Sequence, residues 1–193
     1  MSGLRQTKQL KAKQALQQAA IALFAAQGYS STTVEQIAER AEVSPSTFFR
    51  YFGSKQDVVM YDSLDPIIME AFRAQPKDIT VISALRLAIK DVYTRLTQHQ
   101  YELEMQRFTL VRTIPELQAK ILDEMARSID LFADLIAERT GKDAGDLAVR
   151  NLAGSIIGAG MAALLSAYKR PVSVDSIDTF DAALAQLEKG LDI

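Results

Sequence analysis

The stretch Thr33-Val34-Glu35-Gln36-Ile37-Ala38-Glu39-Arg40-Ala41-Glu42-Val43-Ser44-Pro45-Ser46-Thr47-Phe48-Phe49-Arg50-Tyr51-Phe52 decides how the chain is read. Thr33 followed three residues later by Gln36 is a capping box ahead of Ile37, Ala38 and Ala41, so a helix of about eight residues starts here. Ser44 then caps a second short helix with Pro45 at its first position, where the missing N–H costs nothing; it runs to about Phe52. Two short helices joined by a tight turn form a helix-turn-helix over 33–52, and in that motif the second helix lies in the DNA major groove. Ala38 is small where the helices would cross, Val43 plugs the turn, and Phe48, Phe49 and Phe52 are expected to supply an apolar floor. Ser44, Ser46, Thr47, Arg50 and Tyr51 stay polar, and no acidic residue lies between Ser44 and Lys55. Short hydroxyls, an Arg and a phenol reach base edges and phosphate oxygens, and no carboxylate is there to repel the phosphates. The same periodicity also fits a plain helical hairpin with a solvated face, or an adaptor whose hairpin binds a protein.

Outward from this stretch, apolar residues recur every third and fourth position and nowhere alternate as in a strand. Leu16, Ala19, Ala20, Leu23 and Phe24 make a first helix ended by Gly28; Arg5, Lys8, Lys11 and Lys13 precede or open it, as an arm or as a solvated, disordered tail. After Gly53, Ser54 caps a longer helix from Lys55 with a kink or break expected near Pro66. Helices are expected over 79–98, 101–112 and 116–140, the last closed by Gly141. An Ala/Gly-rich helix opens at Asp143 or Asp146 and stops before Pro171, and a final one starts at Ser173 or Asp175. The expected fold is all-α, about nine helices, with an N-terminal helix-turn-helix head and a C-terminal helical domain.

Composition narrows the function. Among 193 residues there is no Cys, and His99 is the single His, which excludes disulfides, Cys-bearing zinc sites, iron–sulfur clusters and thiol nucleophiles. No nucleophile–base pair and no Gly-rich phosphate loop is present, so no catalytic residue, metal or cofactor is assigned and an enzyme is not expected. The net charge of −2 argues against nucleic acid until it is divided. Residues 1–55 hold seven basic and three acidic side chains, a balance of +4, and the remaining 15 basic and 21 acidic residues give −6. A basic head on an acidic body turns the head towards DNA. Residues 151–168 are uncharged, but Gly154, Gly158 and Ala162 suit a closely packed buried helix better than a membrane span, and no membrane partner is expected. No signal peptide is visible, so a cytoplasmic protein is expected.

The run from Leu16 to Val58, with Leu23-Phe24, Gly28-Tyr29, Thr32-Thr33-Val34, Ile37-Ala38, Val43-Ser44, Thr47, Phe52 and Ser54-Lys55, resembles the DNA-binding domain of TetR-type transcriptional regulators. The resemblance implies a homodimeric, ligand-responsive repressor. Its head would occupy 1–55, and an effector-binding and dimerisation domain, paired through the last two long helices, would occupy 56–193. It implies a palindromic double-stranded DNA operator as partner, with Thr33 and Ser44 set against phosphates, Pro45, Ser46, Thr47 and Arg50 facing bases, and Tyr51 and Lys55 on the backbone. Arg50 is the expected sequence reader, bidentate to guanine. Three positions depart from the family pattern: Glu42 stands for the usual turn Gly, Ser46 for a frequent Gly, and Phe49 for a Tyr that contacts phosphate.

A small apolar or amphipathic effector is expected among Tyr61, Phe72, Tyr93, Met105, Phe108, Arg112, Met125 and Phe132, each of which also fits plain core. Arg107 and Arg112, beside Phe108, are expected in solvent-exposed salt bridges with Glu102, Glu104 or Glu116. The run 108–117 also resembles TetR-type regulators grouped with acyl-CoA-like effectors. The dimer interface is expected at Gly154, Gly158, Ala162, Leu165, Phe180, Leu184 and Leu187.

Overall fold

The computed structural model describes residues 2–166 and 175–191, with side chains over 8–163 and 177–191. The side chains of Arg5 and Leu165 and the chain around Pro171 lie outside the described residues. All secondary structure among the described residues is helical: α1 Ser2–Gln27, α2 Val34–Arg40, α3 Pro45–Tyr51, α4 Lys55–Met60, α5 Asp65–Arg73, α6 Val81–Thr94, α7 Gln98–Thr113, α8 Pro115–Gln118, α9 Ile121–Thr140, α10 Leu147–Ser166 and α11 Asp175–Glu188.

The all-α expectation holds, and the count rises above nine because two expected helices are each divided. The helix from Lys55 ends where Tyr61 turns extended, at φ −60° and ψ 118°. The break expected near Pro66 is found just ahead of it, at 61–64, and Pro66 itself sits in the first turn of α5, where its missing N–H would have had no partner anyway. Likewise the 116–140 helix is α8 and α9, separated at 119–120. The N-terminal arm is helical from Ser2 and not a disordered tail.

The chain forms two compact units, Met1–Ser63 with Glu102–Ala119, and Leu64–Tyr101 with Lys120–Ile193. In the first, α1 packs on α2 and α4 over Leu16, Ile21, Ile37, Phe48 and Val58, all essentially without exposure. Buried Gln17 donates from Nε2 to the carbonyls of Val58 (3.0 Å) and Tyr61 (2.6 Å), giving partners to acceptors that the end of α4 leaves open.

In the second unit α5, α6, α9, α10 and α11 close over Phe72, Leu85, Ile136, Ile156 and Leu184. Arg139 serves the turn after α5, donating to the carbonyls of Gln75, Pro76 and Ile79 while its guanidinium lies 5.2 Å from the Phe72 ring centre. Gly160 on α10 makes room for a ring of α11: a Cβ there would stand 2.6 Å from Cε2 of Phe180. The sequence reading placed such an approach at Gly154 and Gly158, yet a Cβ at either meets nothing within 4 Å.

Polar contacts fasten α11 to α6. Arg86 donates to both carboxylate oxygens of Asp181 (2.8 and 2.9 Å) and to Glu188 (3.1 Å), which also accepts from the hydroxyls of Thr80 and Ser83. These donors hold both carboxyls below their ordinary range: the Arg86 hydrogen bond is foremost for Asp181, and the two hydroxyls for Glu188. A depressed folded pKa means that the stabilisation is full above the ordinary carboxylate range and fades as pH falls through the folded value. Amide hydrogen exchange in α11 is therefore expected to accelerate relative to α9 below about pH 4; equal acceleration of both helices would contradict this.

Among the described residues no helix is long and apolar enough to cross a membrane.

Candidate nucleic-acid interface

The turn between α2 and α3 sets the recognition helix. The Val43 N–H reaches back to the Ala38 carbonyl (2.9 Å) and the Glu42 N–H to that of Glu39 (3.0 Å), the paired bonds of a Schellman C-cap. That motif needs a left-handed residue, and Glu42 supplies it at φ 55°. A side chain in this region costs about 1–2 kcal/mol, and glycine would give back about half of that as extra freedom in the unfolded chain. Glu42→Gly is expected to raise stability by about 0.5–1 kcal/mol in urea unfolding; an unchanged or lower midpoint would show that the turn carries no strain.

Both caps form as expected. The Thr33 hydroxyl accepts from Gln36 N (3.3 Å) while the Gln36 side chain accepts from Thr33 N (3.0 Å). Ser44 Oγ accepts from Thr47 N (3.2 Å) and lies 2.8 and 3.0 Å from the hydroxyls of Ser46 and Thr47. Ser44, Pro45, Ser46 and Arg50 are exposed, Thr47 and Tyr51 half-buried, and the exposed Thr33 stands at the start of α2. The Arg50 guanidinium lies over the Tyr51 ring, 4.9 Å from its centre, with Nη2 3.4 Å from the phenol oxygen.

Two expectations change. Phe49 is no part of the floor: Phe48 and Phe52 are buried, whereas Phe49 is 55 % exposed, since helical pitch turns it about 100° away from the face that Phe48 buries. Lys55, expected on the DNA backbone, spends its ammonium inside the head. It donates to the carbonyls of Tyr29 (2.8 Å) and Thr32 (3.2 Å) and sits 4.2 Å from the Tyr29 ring centre, tying α4 to the loop before α2. Lys13 also turns inward, 4.5 Å from the Tyr61 ring centre. Lys8, Lys11, Arg40 and Arg50 remain as exposed cations; Arg40, in the last turn of α2, was not singled out from the sequence.

The effector candidates fall into both units. Tyr61, Met105, Phe108 and Arg112 belong to the first; Phe72, Tyr93, Met125 and Phe132 to the second. Phe72 is core, Phe132 packs half-buried against it, and Tyr61 lies with its ring centre 5.6 Å from that of Phe52. Arg107 does not make the solvent-exposed bridge expected of it: it is buried with Glu104 and bridges to Asp62. Of the eight, Tyr93 lines a cavity of about 410 Å³ in the second unit, with Ile89, Leu96, Phe180 and Leu184 as apolar lining. Its charges balance, Arg86 and Lys90 against Asp178 and Asp181.

Of the expected dimer residues, Leu184 is wholly buried in its own chain and Leu187 half-buried against the same core, while Phe180 packs on Gly160. Gly158 and Ala162 are exposed and Gly154 half-buried.

A basic head built on a capped helix-turn-helix, with a carboxylate-free exposed strip on its second helix, defines a DNA-binding regulator. Comparison with known proteins agrees: residues 16–60 match the model for bacterial regulatory proteins of the tetR family, and residues 79–192 match that of the MftR C-terminal domain. The regulator TcmR of Streptomyces glaucescens is 36 % identical over 151 residues, covering 75 % of this chain and 67 % of TcmR. MftR of Mycobacterium tuberculosis, named for the regulation of mycofactocin biosynthesis, is 28 % identical over 178 residues, 90 % of this chain and 87 % of its own. The crystal structure of Thermus thermophilus FadR, a repressor in complex with lauroyl-CoA, shares the fold, with a TM-score of 0.58 at 20 % identity over 94 % of this chain and 95 % of that one. The chain belongs to the TetR family. It is a ligand-responsive transcriptional regulator and not an enzyme, which sets the adaptor reading aside.

Proposed function

We propose that the protein represses transcription as a homodimer bound to a palindromic operator and is released by an apolar or amphipathic small molecule, an acyl-CoA thioester being the foremost candidate. In this reading 1–55 is the DNA-binding domain and 56–193 binds effector and partner. The observation that carries it is the exposed set Ser44, Ser46 and Arg50, at the N-cap and along α3, held by the Glu42 turn and free of carboxylates. Thr33, Ser44 and Tyr51 serve phosphates, and Arg50 takes a guanine. Dimerisation uses the outward small residues Gly158 and Ala162 of α10, whose lack of bulk lets a second copy approach.

The effector reading draws on the acyl-CoA complex of the FadR neighbour and on the cavity beside Tyr93, whose size falls within the range of small-molecule sites. Effector binding favours a form in which the two recognition helices leave the one-turn spacing of ~34–36 Å that successive major grooves require. The non-helical residues 61–64 are the place where such a change is absorbed. The protein acts in the cytoplasm, where its DNA is.

Mobility shift with DNA selected from a random pool tests this. Wild type is expected to form a complex whose scattering mass counts two chains and which dodecanoyl-CoA dissociates. Arg50→Ala is expected to bind about 10- to 100-fold more weakly for each guanine lost, the range for one bidentate contact. Undiminished binding by Arg50→Ala would remove the groove-reading role, and a complex indifferent to dodecanoyl-CoA would remove the acyl thioester.

A further inference from the structure

Phe49 is the large apolar side chain that α3 sends into solvent. It is 55 % exposed, while Phe48 before it and Phe52 beyond it are buried. Its ring stands edge-on to Phe48, centres 5.4 Å apart and planes at 80°, so Phe48 braces it from behind. Helical spacing puts Ser46, Phe49 and Arg50 at i, i+3 and i+4, on one strip, and all three are exposed. Ser46 and Arg50 have donors to offer a base pair. Phe49 has neither donor nor acceptor, so neither a phosphate nor a polar base edge gives it a partner.

What the major groove offers such a ring is the C5-methyl group of thymine. We infer that Phe49 is a specificity-determining residue whose ring packs on a thymine methyl beside the base that Arg50 contacts. The inference rests on the DNA-binding reading of α3. It gives the exposed ring a use: contact with the methyl takes apolar surface of both partners out of water, and cytosine at that position, having no methyl, would leave the ring uncovered. The hydroxyl that the family's frequent Tyr would carry here is absent, so the position trades a phosphate contact, which carries no sequence information, for one that does.

The experiment uses the full chain and duplexes selected from a randomised pool. Each thymine of the selected duplex is replaced in turn by deoxyuridine, which lacks only the methyl, and affinity is read by fluorescence anisotropy. For wild type one thymine in each half-site is expected to lose about four-fold on replacement, the worth of one buried methyl group. 5-Methylcytosine at that position is expected to be tolerated better than cytosine. Phe49→Ala, whose exposed site leaves the fold intact, is expected to bind thymine and deoxyuridine duplexes alike, and Phe49→Leu to keep part of the discrimination. Wild type indifferent to every replacement, or Phe49→Ala retaining the four-fold difference, would overturn the assignment while leaving DNA binding in place. A pool from which wild type selects nothing would overturn both.

Discussion

Replacing Arg107 by Met is expected to lower the unfolding free energy by about 3–5 kcal/mol at pH 7, because it leaves buried carboxylate charge uncompensated. The Arg107 side chain is 6 % exposed, its Nε donates to Glu104 Oε2 at 2.8 Å, and its Nη2 reaches Asp62 Oδ2 at 2.6 Å. Glu104 is equally enclosed, at 7 %. Burial pushes its carboxyl above the ordinary range and the Asp62 charge adds to that, while Arg107 pulls it back down. Without the guanidinium the two carboxylates face one another with only the raising influences left.

A raised folded pKa means that folding favours the protonated acid, so the deficit grows as pH rises through the folded value and shrinks below it. Denaturant unfolding at pH 7 and pH 5 checks the sign, with the gap between Arg107→Met and wild type narrower at pH 5. Glu104→Gln removes the buried charge, keeps an acceptor for Nε, and is expected to be close to neutral. Arg107→Met combined with Glu104→Leu is expected to recover most of the loss, since an ion pair replaced whole by apolar groups commonly costs little. A single-variant cost under about 1 kcal/mol would mean that the cluster is wetter than its burial implies.

Operator affinity is expected to fall by about a thousand-fold between 50 and 200 mM salt. The head balance of +4 overstates what faces DNA, since Lys55 is held by two carbonyls and Lys13 by aromatic rings. Among the described residues of the head, Lys8, Lys11, Arg40 and Arg50 are the exposed cations. If three of them meet phosphate in each head of a dimer, about six counterions are released, and the log–log slope is about −5. Lys11→Gln, present twice per dimer, is expected to flatten the slope by up to about two. Lys55→Gln should leave the slope unchanged and lower stability instead, because two carbonyls lose their donor. A slope near −1 for wild type would mean that phosphate contributes almost nothing to binding.

What was legible in the sequence was local. The capping box at Thr33, the Ser44 cap with Pro45 behind it, and the glycine ends at Gly28 and Gly141 involve partners within four residues, and all are found. Glu42 in place of the usual turn Gly was legible through the family resemblance, and its φ of 55° bears out a left-handed turn position there. Lys55 was not, because its carbonyl partners lie 23 and 26 residues upstream and any lysine after a helix-turn-helix looks like a phosphate ligand. Arg107 was misread because i, i+3 spacing finds Glu104 but says nothing of burial, and Asp62 is 45 residues away. Phe49 was placed in the floor by composition, although helical pitch already sets consecutive residues 48 and 49 about 100° apart. For Leu184 apolarity alone does not tell a core facing its own chain from one facing a second copy.

The Gly160–Phe180 contact makes the α10–α11 pair readable by spectroscopy. An aromatic ring edge lying against the α-carbon of a glycine shifts that residue's protons through its ring current, so Gly160 should appear in a proton spectrum displaced from the other glycines. Neither α10 nor α11 can slide without altering the angle between ring and backbone. One isolated resonance would therefore report, at each addition of a small molecule, whether these two helices have moved against each other.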